Sequence, residues 1–418
     1  MGRQRRPATT RPADGRGRNR RGRLLTRRSF LSGAAGVASA GLVGCSGSES
    51  PSGPARPAID CPALEDAAGR SALWQIAYER GLVYGSSTAT WQLSDAEYRR
   101  LFAEHAAILF TEDDLLWYRL RPAPESGLDF AFGDQIAGFT RRQDMLMFGA
   151  HLVWDEGFGE GWSDRDLWGM DERTARSVLF DTIDAVARRY RGQVVGWVVA
   201  NEVLDGSGLR TDVPWYETIG PSYVADAFHA ARDADPEATL VLNDYGYETD
   251  DGFAMADDKR AATLRLLDEL LDADVPVHAL GVQAHLDGGD FDDFDADAYR
   301  RFLADVADRD LAILITEMDV LDDGLPADTK VRDRVVADVV RRYLDVALDE
   351  PAVASLMTFG LSDRYTWLEE DFPRSDGAAR RPLPFDRRLR PKPAVNALRT
   401  SLEGARTREP LWQPPRCR

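Results

Sequence analysis

Glu202, in GWVVANEVL, and Glu317, in LAILITEMDVL, each end an apolar run rich in β-branched residues, the composition of a buried strand that delivers a carboxylate at its tip. Two carboxyl groups brought face to face can divide labour. One stays protonated to assist a leaving group and the other stays ionised to attack carbon, which is what retaining hydrolysis of a glycosidic bond requires at a separation of about 5 to 5.5 Å. Polar residues accompany both: Asn201 precedes Glu202, Asp319 follows Glu317, and GVQAHL supplies Gln283 and His285. A lone Glu at a strand end is ordinarily a solvated or ion-paired carboxylate, so the chemistry depends on whether the strands converge.

From residue 80 onward, short apolar runs alternate with amphipathic stretches of helical length. Strands are expected at LVYGSS near 82, AAILF near 106, MLMFGAHLVW from 145, VVGWVVAN from 194, TLVLND from 239, HALGVQAH from 278, LAILIT from 311 and ASLMTFG from 354. Helices are expected between them, including SDAEYRRLFAEHA, with Ser94 as cap and Glu97 three residues on, and DTKVRDRVVADVVRRYLDVAL. Eight such units predict a single-domain α/β fold, a (β/α)8 TIM barrel, with functional residues at the C-terminal ends of the strands. The Arg- and Pro-rich stretch 372–393 is expected to form a long loop over the barrel mouth before a closing helix.

Taken in order, WVVANEV, IGPSYVADAFHAARDADPEATLVLNDY, GVQAHL and ITEMDV resemble the family 10 glycoside hydrolases, the endo-β-1,4-xylanases, and the resemblance extends from about Leu82 through PLPFD and RPKPA. It implies that Glu202 is the general acid/base and Glu317 the nucleophile, with Asn201 on the sugar 2-hydroxyl. It also implies that Gln283 and His285 lie beside the nucleophile and that Asp319 orients the His. Asn243, Asp244, Tyr245, Glu112, Trp154 and Trp367 are implied at the site too. The environments should differ: a His held by Asp319 keeps Glu317 ionised, and apolar neighbours raise the pKa of Glu202. Trp154 and Trp367 offer flat faces for pyranose rings.

The chain departs from the family pattern at several positions. Asp113 and Leu116 stand where the family has the Asn and Lys that bind a second sugar, Ala150 replaces a sugar-binding His, Val198 replaces an Asp, and Phe359 replaces the Trp that floors the central subsite. By strand alternation His151 should face away from the site. Asp113 and Asp155 are available for new contacts. The expectation is therefore an endo-acting β-glycosidase on β-1,4-xylan or xylo-oligosaccharides. The alternatives are a different neutral β-glycan and a surface protein that binds glycan without cleaving it.

Residues 1–28 hold 11 Arg and one Asp, and an apolar run too short to span a membrane follows. Arg27 and Arg28, followed by Ser29, Phe30 and Leu31, resemble a twin-arginine export signal, and Leu42, Val43, Gly44 and Cys45 resemble a lipobox. This divides the chain into a signal at 1–45, a Gly/Ser/Pro-rich linker at 46–70 and a catalytic domain at 71–418. The resemblance implies an exported protein, at the cell surface or secreted, touching the membrane only through lipid on Cys45. Cys61 and Cys417 bracket the domain, and an exported chain meets oxidising conditions, so they form a candidate disulfide. Five His and no Cys cluster predict no metal, and no cofactor is expected. Removing residues 1–44 takes away 11 of 52 basic and one of 70 acidic side chains, leaving a net charge of −28. Such a polyanion repels nucleic acid and acidic polymers but not a neutral β-linked glycan. A monomer is the default expectation.

Overall fold

The computed structural model describes residues 71–250 and 254–417. Nine parallel strands occur among them: β1 Val83–Thr88, β2 Ile108–Thr111, β3 Leu146–Gly149, β4 Val194–Asn201, β5 Thr239–Asp244, β6 Ala279–Val282, β7 His285–Asp287, β8 Ala312–Leu321 and β9 Val353–Thr358. Eight close a barrel in the order β6-β5-β4-β3-β2-β1-β9-β8, with β6 pairing back onto β8. These eight are the strands expected from the sequence. They are buried along nearly their whole length, which is why they read as continuous β-branched runs and not as alternation. The ninth, β7, is a three-residue continuation of the sixth unit that pairs only with β8, with His285 opposite Asp319.

A helix follows each barrel unit, from Ala96–His105 after β1 to Pro393–Gly404 after β9. Asp95, Asp171, Asp295 and Asp328 cap four of them through backbone N–H groups left free in the first turn. At the first of these the expected cap is off by one. Asp95 accepts from the N–H groups of Glu97 and Tyr98, whereas Ser94 donates its hydroxyl to the Trp91 carbonyl. A carboxylate competes better for two N–H donors than a hydroxyl does. Past the closing helix, half-buried Trp412 packs its ring against Phe148 and donates its Nε1 to Thr239 Oγ1 at 3.2 Å.

The segment expected as a loop over the mouth is tied down firmly. Fully buried Asp322, just past β8, receives Arg332 at 2.7 Å and Arg380 at 3.1 Å, and Arg374 donates to its carbonyl. Lys392 then pairs with buried Asp363 at 2.9 Å, immediately before the closing helix. Arg374 and Arg380, two of the arginines that made this stretch conspicuous in the sequence, thus gather at the buried Asp322.

Candidate active site

The strand register delivers the two glutamates to the same end of the barrel. Glu202 is the first residue past β4 and adopts the left-handed region with φ 56°, which costs a side-chain-bearing residue of order 1–2 kcal/mol and turns its carboxyl away from the strand direction. Its amide donates to the Asn243 carbonyl at 3.0 Å, and its carbonyl accepts from Arg210 Nη1 at 3.0 Å, so the turn is held on both sides. Ala284, at φ 60°, makes a similar turn between β6 and β7, separating Gln283 from His285. Glu317 lies within β8 and its amide donates to the Gln283 carbonyl at 3.0 Å.

A continuous set of hydrogen bonds joins the carboxyls. Gln283 Nε2 donates to Glu202 Oε1 at 3.0 Å and to Asn201 Oδ1 at 3.2 Å. Asn243 Nδ2 donates to the same Asn201 oxygen at 2.7 Å and to Glu317 Oε1 at 2.8 Å. Trp154 Nε1 reaches Glu202 Oε2 at 3.0 Å. On the far side His285 Nε2 lies 3.4 Å from Glu317 Oε2, its Nδ1 lies 2.9 Å from Asp319 Oδ1, and Trp367 Nε1 donates to Asp319 Oδ2 at 2.8 Å. The Phe359 ring stands edge-on to both His285, at 5.6 Å between centroids, and Trp367.

These surroundings push the two glutamates in opposite directions. Burial raises Glu202 to about 7, with the hydrogen bond from Gln283 only partly offsetting it. Burial would raise Glu317 as well, but the hydrogen bond and charge of His285 outweigh it and hold the group below the usual Glu value. Desolvation opposes a charged His285, yet the charge and hydrogen bond of Asp319, with Glu317 adding to them, lift it to about 10. At neutral pH the arrangement therefore offers an ionised carboxylate against an imidazolium, opposite a carboxyl that can carry its proton.

The remaining expected residues occupy distinct places. Asp244 is fully buried against Lys259 at 2.9 Å and accepts from the Leu204 and Tyr245 amides, so it fixes the loop after β4. Tyr245 lies under the Lys259 ammonium, 4.7 Å from ring centroid to Nζ. Glu112 belongs to a second cluster at the tips of β1 and β2, where Ser87 Oγ donates at 2.9 Å and Gln92 Nε2 at 3.0 Å; burial, then the charge of Asp113, pushes it up to about 8. Asp155 is taken up by a two-pronged pair with Arg210, at 3.1 and 2.8 Å, and Asp113 accepts from Trp91 Nε1 at 2.9 Å. His151 departs from the expectation. Strand β3 ends at Gly149, so alternation no longer applies at His151. The buried ring lies against Phe110 and Trp154, and burial lowers its pKa to about 4. Cys45 and Cys61 lie outside the described residues, and Cys417 is buried in the short turn Pro415–Cys417.

Three supporting residues escaped the sequence reading. Thr316 Oγ1 donates to Asn243 Oδ1 at 2.8 Å, fixing which way that amide faces. Gly281 stands directly beneath it: a Cβ there would lie 2.1 Å from Asn243 Oδ1. Arg210 ties the acid-bearing turn to the Trp154 loop. Only the Gly in HALGVQAH carried any signal, as a small residue interrupting an apolar strand.

Residues 72–401 match the family model described as Glycosyl hydrolase family 10. Endo-1,4-beta-xylanase B of Thermotoga neapolitana is 31% identical over 316 residues, covering 75% of this chain and 86% of the relative. Endo-1,4-beta-xylanase C of Phanerodontia chrysosporium is 30% identical over 328 residues, covering 76% of this chain and 75% of the relative. Among solved structures, native xylanase 10B from Thermotoga maritima superposes with a TM-score of 0.71 at 31% identity, covering 80% of this chain and 98% of that one. Xylanase 10B from Thermotoga petrophila RKU-1, solved in complex with xylobiose, gives 0.71 at 29% identity over the same shares.

Proposed function

The chain belongs to glycosyl hydrolase family 10 and is a glycoside hydrolase, and from that premise we propose that it cleaves internal β-1,4 bonds of xylan or xylo-oligosaccharides with retention of configuration. The observation that carries this reading is the pair of oppositely tuned carboxyls bridged by Asn201, Asn243 and Gln283. An ionised Glu317 oxygen attacks the anomeric carbon as its bond to the leaving oxygen breaks, and the Glu202 proton passes to that oxygen. Water then attacks the same carbon, gives its proton to the Glu202 carboxylate, and releases Glu317. Asn243 and His285 hold Glu317 in its charged form. Trp154 and Gln283 fix the direction from which Glu202 delivers its proton. Asn201, Phe359 and Trp367 bound the sugar between them.

Specificity is the part of the reading most exposed to test, because Leu116, Ala150 and Val198 supply no hydrogen bond from their side chains. Each charge-assisted bond forgone costs about 1.5–3 kcal/mol of affinity, and the xylan reading requires compensating contacts elsewhere. Product release from plain and arabinose-decorated xylans and from other neutral β-glycans, compared with Glu202→Ala and Glu317→Ala, tests it. Release from xylan that both substitutions abolish is expected. Release only from another glycan overturns the substrate, and tight glycan binding without release overturns the chemistry.

The export reading is likewise proposed: Arg27 and Arg28 address the chain for export, and acyl chains on Cys45 tether the domain through the linker 46–70. Membrane fractionation tests it, since a Cys45→Ala variant still in the membrane fraction would remove lipidation as the anchor.

A further inference from the structure

Trp91 lies in the loop after β1 with 49% of its surface exposed, although most of the chain's large aromatics are buried. It is exposed without being loose. Its Nε1 donates to Asp113 at 2.9 Å, and its ring stands perpendicular to that of Tyr365, 5.4 Å between centroids and 89° between planes. The Tyr365 hydroxyl is in turn fixed on Asp95 at 3.0 Å. Both sequence neighbours of Trp91 are tied to the tip of β2. Thr90 gives its amide and hydroxyl to Asp114 at 2.9 and 2.8 Å, and Gln92 donates to Glu112 at 3.0 Å. An isolated surface aromatic needs no explanation, but an indole held at its N–H, against Tyr365 and through both sequence neighbours has lost its freedom while half of its surface stays exposed.

Trp91 follows β1 at the same end of the barrel as the candidate active site. Glu112 shares Gln92 and Ser87 with the tips of β1 and β2, and two residues beyond Tyr365 the Trp367 indole holds Asp319 beside the reacting centre. A fixed, flat, apolar surface with a carboxylate at its rim matches a pyranose ring, which presents C–H groups on its face and hydroxyls around its edge. Among the described residues, the carboxyls of residues 112–114 have one cation within ion-pair distance, Arg119, whose guanidinium lies 3.7 Å from Asp113. That balance favours a neutral sugar over a uronate.

We propose that Trp91, held by Asp113 and Tyr365, forms an outer subsite that stacks a further neutral sugar of the bound glycan, beyond those in contact with Glu202 and Glu317. The proposal rests on the xylan reading above. The test compares kcat/KM on a ladder of xylo-oligosaccharides from three to six sugars for the parent, Trp91→Ala and Trp91→Phe. In the parent, kcat/KM rises with length. In Trp91→Ala the ratio of longest to shortest substrate falls about tenfold, mainly through KM, and Trp91→Phe restores most of it. A parent-like ratio in Trp91→Ala, or an equal loss at every length, overturns the subsite. A parent inactive on the whole ladder instead overturns the xylan reading on which it rests.

Discussion

In the proposed mechanism Glu202 and Glu317 do different work because of what touches them, and that difference has a pH signature. The productive form of that mechanism has Glu202 protonated and Glu317 ionised. kcat/KM should therefore fall on the alkaline side near pH 7, where Glu202 loses its proton, and on the acid side below the usual Glu range. Asp319→Asn removes the charge that lifts His285; the imidazole then loses its proton more easily and holds Glu317 less firmly. The acid limb of the profile should move to higher pH and kcat should drop by about 10²-fold, whereas a purely structural role for Asp319 would lower activity without moving the limb. Gly281→Ala probes the same centre from beneath. The new methyl displaces the Asn243 amide from Glu317, so kcat should fall more than KM changes. Both carboxylates and their immediate partners were legible in the sequence, since each sits at a strand tip in a recognisable string. Gly281 and Thr316 were not, because their importance lies in a contact with a residue about 40 or 70 positions away that no local pattern encodes.

At the scale of elements, the strands were legible because burial on both faces demands uninterrupted apolar runs, and all eight barrel strands lie where such runs occur. What the sequence hid was how strands end. Alternation was carried past Gly149 to place His151 outside the site, but β3 had already stopped, and the ring turned toward Phe110 and Trp154. The left-handed turns at Glu202 and Ala284 are equally invisible in composition, because neither residue is a Gly. Arg210 is the brace for the first of these turns. Arg210→Ala leaves the Asp155 carboxylate without its partner and frees the Glu202 carbonyl. Activity should fall about tenfold or more, with kcat affected before KM, and Arg210→Lys should recover only part of it because an ammonium cannot reproduce the two-pronged contact. Steady-state kinetics on the same substrate reads both.

For the whole molecule, buried ion pairs add to the apolar core by holding the loops past β8 and β9. Asp322, with no exposed surface, gathers Arg332 and Arg380, so Asp322→Ala would strand buried cations and should cost about 3–5 kcal/mol, read as a lower denaturant midpoint. The sequence showed the arginines of 372–393 and the long loop before the closing helix, but not the buried carboxylates that hold that loop in place. The proposed pairing of Cys61 with Cys417 would staple the domain end to end; a reductant should then lower Tm, and peptide mapping of the oxidised protein should recover the two cysteines linked. The central claim, that two carboxyls on one barrel mouth cleave xylan through a glycosyl intermediate on Glu317, is tested most directly by the anomeric configuration of the first product. Proton NMR during xylan or xylohexaose hydrolysis should show the β anomer at the newly formed reducing end before mutarotation, and an initial α anomer would contradict the account.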